Sequence, residues 1–429
     1  MASGALPFAA RLYRLAGYLA TPLAPVLLGL RAARGKEDTT RRGERLGRTG
    51  VARPAGPVVW LHGASIGEAV SALALCEAMI RAAGVSVVFT TGTVTSARIV
   101  QDRLPAGAIH QFVPLDLPGA ARRFLDHWRP DLAVFIESEI WPTLLRGLST
   151  RNIPAVLVNA RISARSQARW LKLRPFARSV FGVFALITAQ SAADADRLRH
   201  LTDVPVEMPG NLKYDADPPP VDPDDLATAR AAVGERPVVA AASTHTGEDE
   251  TILAAHLALK ERFGGLLTVL APRHPQRGDQ ISVLAEGMGL SVARRSAGAL
   301  PSPDTDVWLV DTVGDLGLVY ALAPIAFCGG SLIEHGGQNP IEPARAGRAI
   351  VHGPHVFNFA EVFATLDQAR AAVRLDSEAA YLPVMTDLLA HPERVAEMGA
   401  SAEAAVARLT GATARTIDLI RPLLPGGGA

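Results

Sequence analysis

The chain has 429 residues, of which 48% are hydrophobic and 20% charged, with a formal net charge of +1. That length exceeds what one core usually fills, so two domains are expected, and the near-neutral balance argues against bulk attraction to nucleic acid. Cys76 and Cys328 stand alone in separate apolar runs, which points to buried thiols in a reducing compartment and away from a disulfide framework or a cysteine-based zinc site.

Residues 15–30, LAGYLATPLAPVLLGL, are almost wholly apolar and lead into RAARGKEDTTRRGERLGR, where Arg31, Arg34, Lys36, Arg41, Arg42, Arg45 and Arg48 outnumber the acids. As a helix the run reaches about 24 Å at 1.5 Å per residue. That is short of the roughly 30 Å hydrocarbon core, and Pro22 and Pro25 interrupt it. We therefore expect residues 1–50 to be a hydrophobic anchor dipping into one leaflet, with the basic flank beside anionic head groups on the cytoplasmic side.

Residues 51–215 alternate short β-branched runs with helical patterns, as parallel sheets covered by helices require. Strands are expected at 57–63, 85–92, 110–116, 131–138, 154–160 and 185–191, and a helix over 68–84 ends at Gly84. Ligands bind beyond the carboxyl ends of such strands, so the residues there carry the function. After the first strand, Gly63-Ala64-Ser65-Ile66-Gly67 matches G-x-S-x-G, which would make Ser65 a nucleophile. The histidines downstream, His110, His127 and His200, are not plainly on catalytic loops. Glu68, on the first turn of the next helix, is the better candidate, because free N–H groups and the helix dipole favour its carboxylate and a hydroxyl substrate needs a general base.

FIESEIWP then places Glu137 and Glu139 two apart. In extended chain they would point the same way and repel, so one should meet a cation or hold a proton. Arg161 follows the next strand, and Lys213 sits in GNLKYD beside Asn211. The stretch from 210 to 225 is too rich in Pro and Asp for a regular element and marks the domain boundary.

Residues 216–429 restart the pattern with strands at 236–244, 266–274, 306–312, 324–331 and 347–355. The residues after the first of these, His245 among them, lie at a strand end. CGGSLIEHGGQNPIEPARAG reads as a strand, a glycine loop and a helix beginning around Pro340 with Asn339 as its cap. Its free N–H groups suit a phosphate, with Arg273 as a cation for the same group. Glu342 suits ribose hydroxyls, and Gly314 with Asp315 allows a base or sugar to approach closely.

In this order, HGASIGE, ESEIWP, NARIS, GNLKYD, ASTHTGEDE, APRHPQR, DTVGDLGLVYALAPIAFCGGSL and GGQNPIEPA, with GKEDTTRRGERLG near the start, resemble the 3-deoxy-D-manno-octulosonic acid (Kdo) transferases of lipopolysaccharide biosynthesis. The resemblance runs from about residue 10 to beyond 360. It implies the GT-B fold of two Rossmann-like doubly wound domains facing a central cleft, with CMP-Kdo as donor and a lipid A precursor as acceptor. It also implies inverting transfer without a metal or other cofactor, and a seat on the cytoplasmic face of the inner membrane. By the same resemblance Glu68 is the catalytic base, while Glu137 (in preference to Glu139) and Lys213 stabilise the transition state. Pro272 and Arg273, Val313 to Asp315, and Asn339, Pro340, Ile341 and Glu342 would bind CMP-Kdo, with Ser65, Glu139, Arg161 and His245 as further candidates. A serine hydrolase using Ser65 and a non-catalytic nucleotide-sugar binding module are the rival readings.

Overall fold

The computed structural model describes residues 7–215 and 218–426. It divides into two compact units, one up to residue 216 together with the segment from Thr410 onward, the other from residue 217 to Leu409. Residues 410–426 thus pack with the first unit, whereas the sequence pattern placed the second domain at 216–429.

In the first unit the strands are β1 (Val58–His62), β2 (Ser86–Thr91), β3 (Ala108–Phe112), β4 (Leu132–Ile136), β5 (Ala155–Ala160), β6 (Phe184–Ala189) and β7 (Val206–Glu207). In the second they are β8 (Val238–Thr244), β9 (Leu267–Pro272), β10 (Val292–Arg294), β11 (Val307–Leu309), β12 (Ile325–Cys328), β13 (Ala349–His352) and β14 (Ala372–Arg374). Every strand run read from the sequence forms. The three not foreseen, β7, β10 and β14, are edge strands of two or three residues, too short to leave a periodic signal.

Sheet order is β3-β2-β1-β4-β5-β6-β7 in one unit and β10-β11-β9-β8-β12-β13-β14 in the other. All the pairings are parallel. Helices cover both faces, so central strands such as β1, β4 and β12 are buried at every position and read as continuous apolar runs. In the first core Trp60 packs against Phe124 and Phe135, and its indole N–H donates to Thr90 Oγ1 at 2.8 Å. Its one polar atom is thereby satisfied inside the sheet layer. Cys76 and Cys328 are both free and buried, each in the core of its own unit. The strand order reverses between β1 and β4 and between β8 and β12, the points at whose carboxyl ends such sheets bind ligands.

The N-terminal segment departs from expectation in two ways. First, helix Phe8–Ala20, a 3₁₀ turn Thr21–Leu23 and helix Ala24–Ala33 follow one another without a break. Pro22 and Pro25 fall in first turns, where a missing N–H costs nothing, so they do not interrupt the run. The 26 residues Phe8–Ala33 are long and apolar enough to cross a membrane by length and composition. Gly17, Ala24 and Leu28 are nonetheless buried against the unit, and a Cβ on Gly17 would lie 3.0 Å from Pro118 Cδ. Phe8, Leu12, Leu15, Leu19, Leu23 and Val26 are exposed.

Second, part of the basic flank is spent inside the fold, while Arg34, Lys36 and Arg48 stay exposed. Arg31 and the buried Arg45 both pair with the buried Glu37. Arg41 pairs with Glu44, which also accepts the Phe112 N–H at 2.7 Å, while Arg45 donates to Val113 O. Arg41 and Arg45 thus staple the segment to β3 and the residue after it.

The boundary stretch also holds more order than its composition suggests. A 3₁₀ turn runs over Leu212–Tyr214, and a helix over Pro223–Val233 starts at Asp222, whose carboxylate accepts N–H groups from Asp224 and Asp225.

Close approach of the strand ends in the second unit demands a glycine after β12: a Cβ on Gly329 would sit 2.3 Å from Ser243 O. Replacing Gly329 with Ala should destabilise this unit by about 1–3 kcal/mol. An unchanged urea-unfolding midpoint would contradict the tight packing.

Candidate active site

In the first unit, the turn after β1 is built for a carboxylate. Gly63 packs against the Glu68 backbone, with any Cβ there 3.2–3.3 Å from Glu68 and Ala69 atoms. Ser65 caps helix Ile66–Ala83 by accepting the Glu68 N–H, and Glu68 Oε2 accepts the N–H groups of Ala64 at 2.8 Å and Ser65 at 3.3 Å. This reciprocal capping fixes the Glu68 side chain at the sheet's reversal point. Burial and the nearby Glu139 carboxylate raise its pKa, outweighing the hydrogen bonds that lower it. Ser65 is thus engaged as a cap. The nearest imidazole in sequence, His62, is held by Thr90 at Nδ1 and by Glu139 at Nε2, so no serine–histidine pair forms at this turn among the described residues.

The two acids after β4 part company. The strand stops at Ile136, and Glu137 takes the left-handed φ of 59°, a conformation costing a non-glycine residue about 1 kcal/mol. The expectation that the extended chain continues and aligns both carboxylates is therefore incorrect. Glu137 pairs with Lys213, Nζ to Oε1 at 2.5 Å. Glu139 Oε2 accepts from Trp141 Nε1 at 2.8 Å and lies 3.0 Å from His62 Nε2. Burial opposes ionisation of Glu139, but the bonds from His62 and Trp141 prevail and hold its pKa below the ordinary carboxylate range.

Lys213 is carried on a turn fixed from three sides. Its own N–H donates to Asn211 Oδ1, and the preceding N–H of Leu212 donates to the buried Asn159 Oδ1. Asp215 accepts N–H groups from Gly411 and Thr413 at the start of helix Ala412–Ile420. That helix explains why the C-terminal segment belongs to the first unit. The lysine is thus anchored, unlike the solvated linker residue its composition allowed.

A cavity of about 510 Å³ at these strand ends is lined by Glu68, Glu137 and Arg161, with Ser138, Ser163 and Trp170. The structure thereby brings Glu68, Glu137 and Arg161 together, with Lys213 joined through Glu137.

In the second unit the residues after β8 and β12 interlock through Glu248, which the sequence reading did not single out. Its buried carboxylate accepts N–H groups from His245, Gly330, Ser331 and Leu332 at 2.7–3.1 Å. Burial raises its pKa against these four bonds. No local spacing marks Glu248, because its partners Gly330, Ser331 and Leu332 lie on a loop remote in sequence.

Around this knot lie His245, His335 and His274. The ring of His245 is 4.0 Å from that of His335 and 6.0 Å from that of His274. Its Nε2 is 3.0 Å from Gln338 Nε2. Burial first, then the neighbouring imidazoles and Arg273 and Arg277, push the His245 pKa down to about 4, so the ring is neutral at neutral pH.

Pro272 ends β9 and Arg273 follows it, exposed. The predicted helix at Pro340 is shorter and later than expected, Ile341–Arg345, with Asn339 Oδ1 accepting the Ile341 N–H at 3.1 Å. Asn339 Nδ2 also donates to Glu342 Oε1 at 3.1 Å. Burial raises the Glu342 pKa, opposed by that bond and by the charge of Arg273. On the third loop Val313 is 88% exposed and Gly314 has φ 99°. The Asp315 carboxylate is occupied by Arg295 and Thr312, which leaves the backbone of this loop as its free face.

Two Rossmann-like units with sites at their sheet reversals define the GT-B class of glycosyltransferase fold. A glycosyltransferase from Rickettsia africae matches with a TM-score of 0.59 at 10% identity, over 86% of this chain and 99% of that one. The UDP-GlcNAc 2-epimerase of Neisseria meningitidis matches with a TM-score of 0.56 at 12% identity, over 82% and 98%. At such identities these likenesses establish the fold alone.

The family follows from sequence relatives. Residues 40–216 match the family model described as 3-deoxy-D-manno-octulosonic-acid transferase (kdotransferase). The 3-deoxy-D-manno-octulosonic acid transferase of Haemophilus influenzae is 34% identical over 94% of this chain and 96% of its own length. The enzyme of the same name from Bordetella pertussis is 37% identical over 89% and 91%. The chain belongs to the Kdo transferase family.

Replacing Glu248 with Ala would leave four N–H groups without their acceptor and should cost about 2–4 kcal/mol of stability. Urea unfolding of the purified protein checks this, and a loss under 1 kcal/mol, on the scale of ordinary surface changes, would contradict a structural role.

Proposed function

We propose that this Kdo transferase moves Kdo from CMP-Kdo to a lipid A precursor in lipopolysaccharide synthesis, with Glu68 as general base. The observation that carries the assignment is a carboxylate of raised pKa, locked in place at the sheet reversal and sharing one cavity with Glu137. A base whose pKa is raised accepts a proton more readily.

The acceptor's primary hydroxyl gives its proton to the Glu68 carboxylate as its oxygen bonds to the anomeric carbon of Kdo. The bond from that carbon to the phosphate oxygen breaks on the opposite face, with inversion, and CMP leaves with the electron pair. Charge on the departing phosphate is met by Arg273 and by backbone N–H groups at Asn339 to Ile341. Because the helix there has only five residues, these individual N–H groups matter more than a macrodipole. A monophosphate leaving group carries less charge than a diphosphate, a load that such groups can bear.

The Glu137–Lys213 pair supports a transition-state role in which Lys213 faces the sugar acid's carboxylate as a compact cation held by its partner. Arg161, on the same cavity, is a second cation for an anionic acceptor. Pro272, Val313, Gly314 and the engaged Asp315 shape the nucleotide pocket, Asn339 to Glu342 meet its ribose, and neutral His245 is suited to a sugar hydroxyl. The exposed apolar face of Phe8–Ala33, held along its other side by Gly17, Ala24 and Leu28, supports a monotopic seat on the cytoplasmic face of the inner membrane.

Glu68→Gln, which keeps much of the side chain's shape but not its basicity, should lower transfer by about 10²–10⁴-fold while leaving CMP affinity unchanged. Mass spectrometry of the lipid product and calorimetric titration with CMP are the two readouts, and near-normal turnover would refute the assignment. Arg273→Ala should weaken CMP binding by about 10–100-fold, as losing a charged hydrogen bond does.

The pH profile supplies a further test. Glu68 works when ionised, so activity is full above its raised pKa and falls as pH drops through it. Glu139→Gln removes one of the two causes of the rise. The acid limb of kcat/KM should therefore move to lower pH in that variant, and a limb that stays in place or moves upward would contradict the coupling.

A further inference from the structure

The first unit holds a second cavity, of about 430 Å³, away from the strand ends. Its walls come from helices Phe8–Ala20, Pro118–Trp128, Pro142–Ser149 and Arg174–Phe181. Each helix contributes an arginine: Arg14, Arg122, Arg146 and Arg178, with Arg151 just beyond the third. Arg151 pairs with Asp126, and Arg178 lies 3.7 Å from Asp203. Among the described residues Arg14, Arg122 and Arg146 make no ion pair, although the fold spends other arginines on internal carboxylates. Three unpaired cations from three separate helices thus converge on one groove. The bias is regional, since residues 140–193 contain eight Lys or Arg and no Asp or Glu.

The groove is also aromatic, and the helix Phe8–Ala20 that walls it carries exposed leucines on its other side. Tyr13 donates to Asp116 at 2.8 Å, and its ring centre lies 6.1 Å from that of Phe176. That geometry pins Phe8–Ala20 along the cavity, while Leu12, Leu15 and Leu19 of the same helix are exposed. An acidic protein or a free phosphate would satisfy the arginines and leave those leucines in water. A leaflet of lipids with anionic phosphate headgroups satisfies both, the headgroup charge meeting the guanidinium groups while the leaflet's apolar interior takes up the leucines.

We propose that this groove binds the phosphate of an anionic phospholipid headgroup and so docks the first unit on a negatively charged leaflet. The proposal rests on the membrane reading above and adds Arg14, Arg122 and Arg146 to its electrostatic part, beside a flank at residues 31–48 in which Arg31, Arg41 and Arg45 are paired internally. Arginine suits the role because its fork can grip phosphate in a bidentate manner.

The test is flotation of the full-length protein with vesicles of phosphatidylcholine alone or with added phosphatidylglycerol. Wild-type protein should bind the anionic vesicles more tightly, an advantage that shrinks as salt rises. The double variant Arg122→Gln, Arg146→Gln should lose on the order of thirtyfold of that preference and keep its binding to neutral vesicles. All three arginines are exposed, so the fold should tolerate the changes, and an unchanged thermal melt verifies this. Leu15→Gln with Leu19→Gln should instead weaken binding to both vesicle types alike.

Equal binding of wild-type protein to both compositions, or an undiminished preference in the arginine variant, would overturn the headgroup site. An arginine variant that keeps its vesicle preference but shows a raised KM for detergent-dispersed acceptor would assign the groove to the acceptor's own phosphates, also against the proposal. Failure of the wild type to bind either vesicle would overturn the membrane reading itself, a distinct outcome.

Discussion

The ion pair between Glu137 and Lys213 is the contact on which the first unit's site depends. It joins the end of β4 to the turn after β7 and holds Glu137 in a left-handed conformation that the backbone alone would disfavour. Because Glu137 turns aside, Glu139 is released to a different partner, His62 at the end of β1. Glu139 in turn supplies part of the field that raises the Glu68 pKa. One kink in the chain thus separates two carboxylates that would otherwise repel, and leaves the charge of one acting on a third.

The second unit solves a comparable problem with a neutral donor set. Glu248 gathers four backbone N–H groups from two loops, and so fixes the glycine loop after β12 relative to the end of β8. His245 sits on this knot, kept neutral by burial and by surrounding cations. In both units a carboxylate anchors the crevice at the sheet reversal. In the first unit that carboxylate, Glu68, lines an open cavity, and in the second it is wholly consumed by the loop.

What the sequence disclosed follows from which physics is local. Parallel strands covered on both faces must be apolar at successive positions, so β1, β4 and β12 stand out as runs, while two-residue β7 does not. Strand ends are where polar residues accumulate, which made Glu68, Glu137 and Arg273 legible. Partners distant in sequence were not: no local pattern links Glu137 with Lys213, Glu139 with His62, or Glu44 with the Phe112 N–H. The arginines after Leu30 read as a free basic flank although Arg31, Arg41 and Arg45 are answered by Glu37 and Glu44, and Pro22 and Pro25 read as breaks although their positions in first turns make them compatible with a continuous helical run.

The return of the C-terminal helix carries a consequence for the order of assembly. Asp215 finds its donors at Gly411 and Thr413, about two hundred residues later, while the second unit is a continuous insertion between them. During synthesis the first unit can form its sheet early, but the turn that bears Lys213 waits for the chain's last segment, and such distant closure is a slow class of contact. The second unit has no such wait. The first unit is begun first and finished last, so Lys213 is secured only when the second unit already exists.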